Sequence, residues 1–304
     1  MKSINIVGNL QLDVLASPID ALPIPGGDTL VERIDVRIAG AAGNASLTLH
    51  ALGAKQGLFS MLGDDLVGRW LYEDLVKMGL AKDLLVVPGE VTAISIAVES
   101  ENRERAFYTV NGVLERVEDY MSQGPAASAD FVLYTGYFSN PGMFKSGGAN
   151  LLSNVRANGG TSLFDTGWDP DNWNTDGRDR VLHLAGLTDY FLPNETEATA
   201  LTGISNPIEA ARALGNIAQK AIIVKMSDKG IFYLDRDGNE ITIPVVPAKV
   251  IDSTGAGDSF AAALAFCLAR DEKIEDALAF ATKVATMVVS RPSANRYPSL
   301  QEVQ

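Results

Sequence analysis

The amino-acid sequence predicts an α/β fold in which a mostly parallel central sheet is covered by helices on both faces and carries a small β-sheet lid. Two observations support this prediction. Short apolar runs alternate along the chain with stretches of helical spacing, which is typical of parallel strands joined by crossover helices. Two further segments, 11–38 and 92–110, interrupt that alternation and have the pattern of separate strands.

The strands of the core are predicted at short apolar runs, several of which are closed by Gly, Asp or Asn. Helices are predicted between them, where apolar residues recur at helical spacing. In chain order, the predicted strands are 4–7, 57–61, 131–135, 161–165, 190–192 and 221–225, and the predicted helices include 44–52, 66–78, 144–158 and 208–218. Because ligands in such folds bind at the carboxyl ends of the strands, we expect the functional site there.

The predicted lid is formed by two segments. The first, 11–38, is rich in Pro and Gly and ends in an alternating run, and the second, 92–110, contains two alternating strands around a polar turn at 101–104. We expect these strands to cover the carboxyl edge of the sheet; ordinary edge hairpins are the alternative. The predicted core then comprises residues 1–10, 39–91 and 111–304.

Composition excludes several classes of function. The formal net charge of −13 argues against non-specific binding to nucleic acid or to an anionic membrane surface. The single cysteine, Cys267, cannot form an intrachain disulfide, and neither His50 nor His183 lies in a His/Cys cluster of zinc-binding spacing. The chain starts in a strand pattern without a leader, and its longest nearly apolar run, 260–269, is far shorter than the ~20 residues that cross a membrane. We therefore expect a soluble, cytoplasmic protein.

The strongest local motif is Asp-Ser-Thr-Gly-Ala-Gly-Asp-Ser-Phe at 252–260, followed by a helical run. Glycines before a helix let several backbone N–H groups point outward, where the helix dipole adds positive potential, so Gly255, Ala256 and Gly257 form a candidate anion hole. Asp258 then lies beside the hole, where a carboxylate can take a proton from an attacking hydroxyl. The alternative is a glycine turn in which Asp258 only caps the helix.

Two weaker motifs accompany it. In the first, Gly40 and Gly43 allow a ligand to approach the backbone, and Asn44 offers a donor and an acceptor for a diol; packing of small residues is the alternative. In the second, Asn194 and Glu197 follow a predicted strand and have the spacing of a helix capping box. An amide and a carboxylate at a strand end also suit Mg²⁺, which takes few protein ligands and keeps several waters.

These motifs, in this order and on this pattern, resemble the ribokinase-like, or PfkB, family of carbohydrate kinases over essentially the whole chain. The two signature regions of that family correspond to 40–68 and 252–264. The resemblance implies ATP-dependent phosphorylation of a hydroxyl group on a small sugar, with ATP and Mg²⁺ as cofactors. No Gly-x-x-x-x-Gly-Lys-Ser/Thr loop occurs, which excludes a P-loop enzyme at the level of motifs.

The resemblance also implies roles for individual residues. Asp258 matches the catalytic base and 255–257 match the anion hole. Sugar hydroxyls are expected at Asp13, Gly40 and Asn44, ATP at Lys225, Ser227, Gly230 and Thr254, and Mg²⁺, through water, at Asn194 and Glu197. The family also admits a monovalent cation such as K⁺ near Asp252 and the terminal loop, and the sequence does not decide whether one binds. That loop, 291–296, departs from the Gly-Ala segment usual in the family.

The charges of the lid predict an unphosphorylated substrate. A sugar phosphate needs clustered cations, whereas the four lid arginines at 33, 37, 103 and 105 are mixed with five carboxylates, at 32, 35, 99, 101 and 104. A sugar acid bound by Arg105 is the secondary prediction. Two alternative functions stay open: a nucleoside kinase, with a base slot built from Phe107, Tyr108 or Trp168, and a non-catalytic sugar-sensing protein.

The lid also predicts a homodimer. Its strands carry more apolar residues than a freely solvated flap needs, and in this family such a face often packs against a second copy. The residues that form this pattern are Val31, Ile34, Val36, Ile38, Ile94, Ile96 and Val98.

Overall fold

Strands and helices alternate through the computed structural model, which describes residues 1–19, 26–100, 105–116, 119–215 and 217–304. The strands are β1 Ile4–Gly8, β2 Gln11–Ile19, β3 Ile34–Ala39, β4 Gln56–Phe59, β5 Met61–Gly63, β6 Leu85–Val87, β7 Ile94–Ser100, β8 Arg105–Val110, β9 Phe131–Thr135, β10 Thr161–Asp165, β11 Tyr190–Phe191, β12 Ala221–Lys225, β13 Ile231–Asp235 and β14 Glu240–Ile243. The helices are α1 Ala41–Ala51, α2 Leu66–Lys77, α3 Gly147–Ala157, α4 Thr175–Leu187, α5 Glu195–Thr202, α6 Pro207–Leu214, α7 Ala256–Leu268, α8 Ile274–Val289 and α9 Leu300–Val303.

The main sheet has the strand order β14-β13-β12-β11-β10-β9-β1-β4. Its six strands β4, β1, β9, β10, β11 and β12 are parallel, and β13 and β14 continue the sheet as an antiparallel edge. The central strands are buried on both faces, so they consist of continuous apolar runs without polar alternation. The predicted α/β fold class is confirmed.

Helices cover both faces of this sheet, and side chains alternate between the two cores. Ile223 of β12 belongs to one core, with residues of α1, α2, α7 and α8. Its neighbours Ile222 and Val224 belong to the other, with residues of α3, α4, α5 and α6. This two-residue period on each strand follows from the pleat of the sheet.

A separate sheet of order β3-β2-β7-β8 contains the strands of both predicted lid segments. Within the described residues these strands pair only with one another, so they are not edge hairpins of the main sheet. One face carries Asp13, Arg37 and Ser95, which are direct cross-strand neighbours. The other face carries Val14, Val36 and Ile96. The division of the chain into core and lid at the predicted boundaries stays a prediction.

Two features of the structure differ from the predicted elements. The run 57–61, predicted as one strand, is divided between β4 in the main sheet and β5, which pairs with β6. An apolar run shows where a strand is buried but not where it changes its partner. The antiparallel edge, β13 and β14, was also not predicted. No helix in the described ranges has both the length and the apolar character needed to cross a membrane.

Helices α2, α4, α5 and α6 each begin at an Asp or Asn whose side chain accepts a first-turn N–H, as at Asp65, Asn174 and Asn206. Such caps satisfy N–H groups that have no partner within the helix. Helix α7 has Gly255 as its N-cap residue and, like α1, α3 and α8, has no side-chain cap.

Candidate active site

The N-terminus of helix α7 is open and closely packed on two sides. Gly255 has a φ of 74° and therefore lies in the left-handed region that favours glycine. A Cβ atom at this position would lie 2.9 Å from Cγ of Asn44, and a Cβ atom at Gly257 would lie 3.2 Å from Nζ of Lys225. The loop thus lies between an amide and an ammonium group. No side chain caps its first-turn N–H groups, although the N–H of Ala256 donates to the Ser253 carbonyl at 3.4 Å.

Asp258 lies in the first turn of α7, and its carboxylate accepts a hydrogen bond from Asn44 (Nδ2–Oδ2 2.8 Å). Asn44 in turn accepts a hydrogen bond at Oδ1 from the hydroxyl of Tyr297, at 2.9 Å. Burial and the charge of Asp165 raise the pKa of Asp258 to about 6, against the lowering effect of the Asn44 bond and of Lys225. The side chain of Asp258 does not cap the helix, so the capping alternative is not what the structure has.

Asp13 lies on the lid face that turns toward this loop, and it is buried. It accepts a hydrogen bond from Gln11 (2.9 Å), and Gln11 accepts one from Asn9 (3.0 Å). Burial raises the pKa of Asp13, although the Gln11 bond and the charge of Arg37 oppose the shift. Asn9 also contacts the other predicted sugar residue: a Cβ atom at Gly40, whose φ is 82°, would lie 2.4 Å from the Asn9 carbonyl oxygen. The predicted sugar-binding positions Asp13 and Gly40 therefore lie close together, and we call this part of the site the rim.

Arg37, which the sequence analysis counted only among the lid arginines, lies beside Asp13. Its Nη1 donates to Asp252 at 2.7 Å, and its Nη2 lies 4.0 Å from Asp13. Within the described residues, Nε and Nη2 of Arg37 are buried without a hydrogen-bond partner. The side chain of Arg105 lies outside the described residues, so its predicted contact with a substrate stays a prediction. The available signal for Arg37 was its place three positions before Gly40, where the first signature begins.

Lys225 ends strand β12 and forms a buried ion pair with Asp165, at the end of β10 (Nζ–Oδ2 2.6 Å). Burial lowers the pKa of Lys225, but the charges of Asp165 and Glu197 outweigh it and raise that pKa above its ordinary value. The ammonium group is therefore held charged beside the N-terminus of α7. Asp165 was not singled out in the sequence, although its position at a strand end on the carboxyl edge was available as a signal.

Asn194 and Glu197 form a complete capping box at the start of α5. The two backbone-to-side-chain bonds and the bond from Nδ2 of Asn194 to Oε1 of Glu197 are each 2.8 Å long. Glu197 is buried, and burial together with the charge of Asp165 raises its pKa to about 7, against the charge of Lys225. The structural alternative considered for this motif is therefore present, and the role in binding metal stays a prediction.

The oxygen atoms around Asp165 and Glu197 fit Mg²⁺ in one specific way. Within the described ranges, no group of three His, Cys, Asp or Glu side chains is placed to hold a metal ion directly. Mg²⁺ commonly takes one or two carboxylates through its waters and completes its shell with phosphate oxygens. Two carboxylates and the amide of Asn194 beside an anion-binding loop suit that arrangement.

A cleft of about 800 Å³ opens on the other side of the loop and has the size of a nucleotide site. It brings together the predicted residues Lys225, Ser227 and Gly230 with the start of α7. Its far wall is formed by the 245–250 segment, which sequence reasoning missed, and by one face of α8 around Thr282. The wall residues are Val245, Pro247, Ala248, Val250, Thr282, Ala285, Thr286 and Val289. Thr254 is not among the lining residues, whereas its neighbour Ser253 is.

The three aromatic residues considered for a base slot lie in different parts of the structure. Trp168 packs edge-on against Trp173 (centroids 6.0 Å apart), and Trp173 is buried against Phe138, so this pair anchors its loop. Phe107 is half exposed and pairs with Ala97 on the lid face that carries Asp13. Tyr108 lies on the opposite face.

Comparisons with known proteins agree on one family. The family model described as pfkB family carbohydrate kinase matches residues 1–300. The chain is 24% identical to ribokinase from Haemophilus influenzae over 99% of this chain and 97% of that protein. It is 23% identical to cytidine kinase from Thermococcus kodakarensis over 96% of this chain and 97% of that protein. The structure of Arabidopsis thaliana ribokinase complexed with ribose and ATP has a TM-score of 0.84 at 23% identity, covering 99% of this chain and 97% of that one.

Proposed function

The chain belongs to the pfkB family of carbohydrate kinases, and on that premise we propose that it transfers the γ-phosphoryl group of ATP to a hydroxyl of a small unphosphorylated sugar or sugar acid. That it is a sugar or nucleoside kinase follows from the family, which disfavours the non-catalytic sensor. The finer proposal depends chiefly on one observation. Asp258 lies beside an uncapped helix N-terminus, between a nucleotide-sized cleft and the rim that carries Asp13.

In the proposed mechanism Asp258 takes the proton of the attacking hydroxyl. A carboxylate with a pKa of about 6 is ionised at neutral pH and remains basic enough to hold that proton. The N–H groups of residues 255–257 and the ammonium group of Lys225 stabilise the charge on the transferring phosphoryl oxygens. Asn194, Glu197 and Asp165 would hold Mg²⁺ through water, and bound Mg²⁺ supplies further positive charge to the phosphates.

The charges near Asp13 support an unphosphorylated substrate. Of the lid arginines whose side chains are described, Arg33 pairs with Asp35 at 2.9 Å and Arg37 pairs with Asp252. A phosphate dianion would need more free cationic donors than this face offers. In the described residues, Nε and Nη2 of Arg37 make no hydrogen bond and suit a single carboxylate, so a sugar acid is the second substrate class, with Arg37 as well as Arg105 as its candidate partner.

A nucleoside kinase is the second candidate function. The specific observation in its favour is Phe107, a half-exposed ring on the substrate face of the lid, where it is placed to stack on a base. The similarity to cytidine kinase over nearly the whole chain supports the same candidate.

An ATP-consumption screen over four groups of acceptors tests these proposals. The groups are neutral sugars, sugar acids, nucleosides and sugar phosphates, each compared by kcat/KM. We expect the highest value among neutral sugars or sugar acids. A nucleoside with the highest value would establish the second candidate, and a value for fructose 1-phosphate, fructose 6-phosphate or tagatose 6-phosphate well above all others would contradict the proposal of an unphosphorylated substrate.

We also propose a homodimer formed through the outer face of the lid, and a cytoplasmic location, which suits a chain with a single, buried cysteine. The outer face exposes about half of the side-chain surface of Ile34, Val36 and Ile96. Tyr108 and Val110 extend the same apolar patch. Ile38, which the sequence pattern included, packs into the main core instead.

A further inference from the structure

The terminal loop sends a buried arginine into the turn that precedes the anion hole. The side chain of Arg296 is 2% exposed, and its Nη1 donates to the Asp252 carboxylate at 2.5 Å. Its Nη2 donates to the main-chain oxygens of Asp252 and Thr254. Arg37 approaches the same Asp252 oxygen from the lid side, at 2.7 Å. One guanidinium group therefore holds a carboxylate and two carbonyls that lie within three residues of Gly255.

A carboxylate and successive backbone carbonyls form the kind of oxygen set that binds a monovalent cation such as K⁺. In this protein the set does not fit such an ion, because Arg296 already contacts all three oxygens. The charges agree with the geometry. Asp13 and Asp252 are balanced by Arg37 and Arg296, and a further cation would leave an uncompensated buried charge.

We infer that Arg296 is a resident cation that holds the anion-binding loop in its active conformation, so that catalysis needs no monovalent cation. With the carbonyls of 252 and 254 fixed on one side of the turn, Ala256 and Gly257 are kept at the wall of the cleft. The next residue, Tyr297, contacts Asn44, which contacts Asp258. Arg296 is thus a positioning residue, and its role rests on the proposed kinase function.

The wild-type protein tests the inference without any substitution. Initial rates with the acceptor found by the screen are measured in choline, sodium and potassium chloride at one ionic strength. We expect rates within about twofold of one another, and a tenfold activation by K⁺ would overturn the inference. Crystals soaked in rubidium chloride give a second readout, because an anomalous peak beside Asp252 would overturn it as well.

Removal of the guanidinium group should create a dependence on added cations. In Arg296→Ala we expect kcat in choline chloride to fall about 10- to 100-fold, with a smaller change in KM. Potassium or millimolar guanidinium chloride should restore a large part of that loss, which a merely structural defect would not allow. The matched control is Arg291→Ala, in the same loop but paired with Glu302, which should keep wild-type rates in every salt. A folded Arg296→Ala with unchanged kcat, or with no rescue by either cation, would contradict the inference.

Calorimetric binding of ADP separates this inference from the proposed function. If no acceptor is phosphorylated but ADP affinity is equal in choline and potassium chloride, the proposed substrate class is wrong and the resident cation is supported. If acceptors are phosphorylated but ADP affinity rises tenfold with K⁺, the resident cation is wrong and the kinase function stands. Absence of ADP binding in every salt would overturn both. If Arg296→Ala does not fold, the wild-type measurements decide.

Discussion

Replacement of Asp258 by Asn separates the catalytic role of this carboxylate from its cost to the fold. The amide has the same shape as the carboxyl group and can still accept the Asn44 hydrogen bond, so the local structure should persist. It cannot take a proton from the attacking hydroxyl, and general-base catalysis is typically worth about 10²- to 10⁴-fold. We expect Asp258→Asn to lower kcat by that factor while ADP binding changes little.

The same substitution should make the protein more stable at neutral pH. The pKa of Asp258 is about 6 in the folded state, against 3.8 ordinarily, so the folded protein holds this proton more tightly. The stabilisation from the protonated group is complete below about pH 4 and is lost as the pH rises through 6. The ionised carboxylate then costs on the order of 2–3 kcal/mol of unfolding free energy, since one pKa unit corresponds to about 1.4 kcal/mol. A neutral Asn has no such cost, so the melting temperature of Asp258→Asn at pH 8 should be several degrees above that of the wild type.

The assay is a pH profile of kcat/KM together with thermal melts at pH 5 and pH 8. Wild-type kcat/KM should fall about tenfold per unit below pH 6, and Asp258→Asn should lack that limb. The matched control is Asp276→Asn, which changes an exposed Asp at the same position of the first turn of α8. This variant should keep wild-type activity and lose about a few tenths of a kcal/mol of unfolding free energy. Activity within threefold of wild type, or the same acidic limb in Asp258→Asn, would refute the assignment of the base.

Three further predictions concern the rim, the ion pair and the lid. Asp13→Ala should raise the KM for the acceptor about 10- to 100-fold with a smaller fall in kcat, because a charged hydrogen-bond acceptor is lost; an unchanged KM in steady-state assays would remove Asp13 from the substrate site. Lys225→Met should weaken ATP binding. It should also lower the free energy of unfolding, measured by denaturant titration, by about 3–5 kcal/mol, because Asp165 stays buried without its partner. The exposed Lys229→Met is its control and should match wild type in both. Ile96→Glu should give a monomer in light scattering, whereas a monomeric wild type at micromolar concentration would rule out the lid interface.

The parts of the site that the sequence predicted best are local in the chain. The glycine turn, the start of α7 and the capping box of Asn194 and Glu197 all lie within a few residues, where backbone geometry and residue type decide the conformation. The strands predicted at 131–135, 161–165 and 221–225 have the observed bounds. Buried parallel strands have continuous apolar runs, and that signal needs no knowledge of their neighbours.

The parts that the sequence did not predict depend on contacts between distant segments. Asn44 and Tyr297 are 253 positions apart, and Lys225 and Asp165 are 60 apart. An isolated lysine at a strand end has the pattern of a solvated residue or of a phosphate ligand, and only the strand order reveals its buried carboxylate partner. For the same reason the terminal loop could be recognised as unusual, but the position of Arg296 beside Asp252 could not be derived.

Burial is the main cause of the raised pKa values in the site, and the charge of Asp165 adds to it at Glu197 and Asp258. Among the described residues that the site uses around the anion-binding loop, carboxylates outnumber basic groups by five to three: Asp13, Asp165, Glu197, Asp252 and Asp258 against Arg37, Lys225 and Arg296. The lid side of this group is neutral, because two arginines balance Asp13 and Asp252. The excess of negative charge is therefore on the nucleotide side, at Asp165, Glu197 and Asp258, where Lys225 is the one basic member of the group. A divalent cation accompanying the nucleotide would compensate this excess, whereas a monovalent cation at Asp252 would have no charge to compensate.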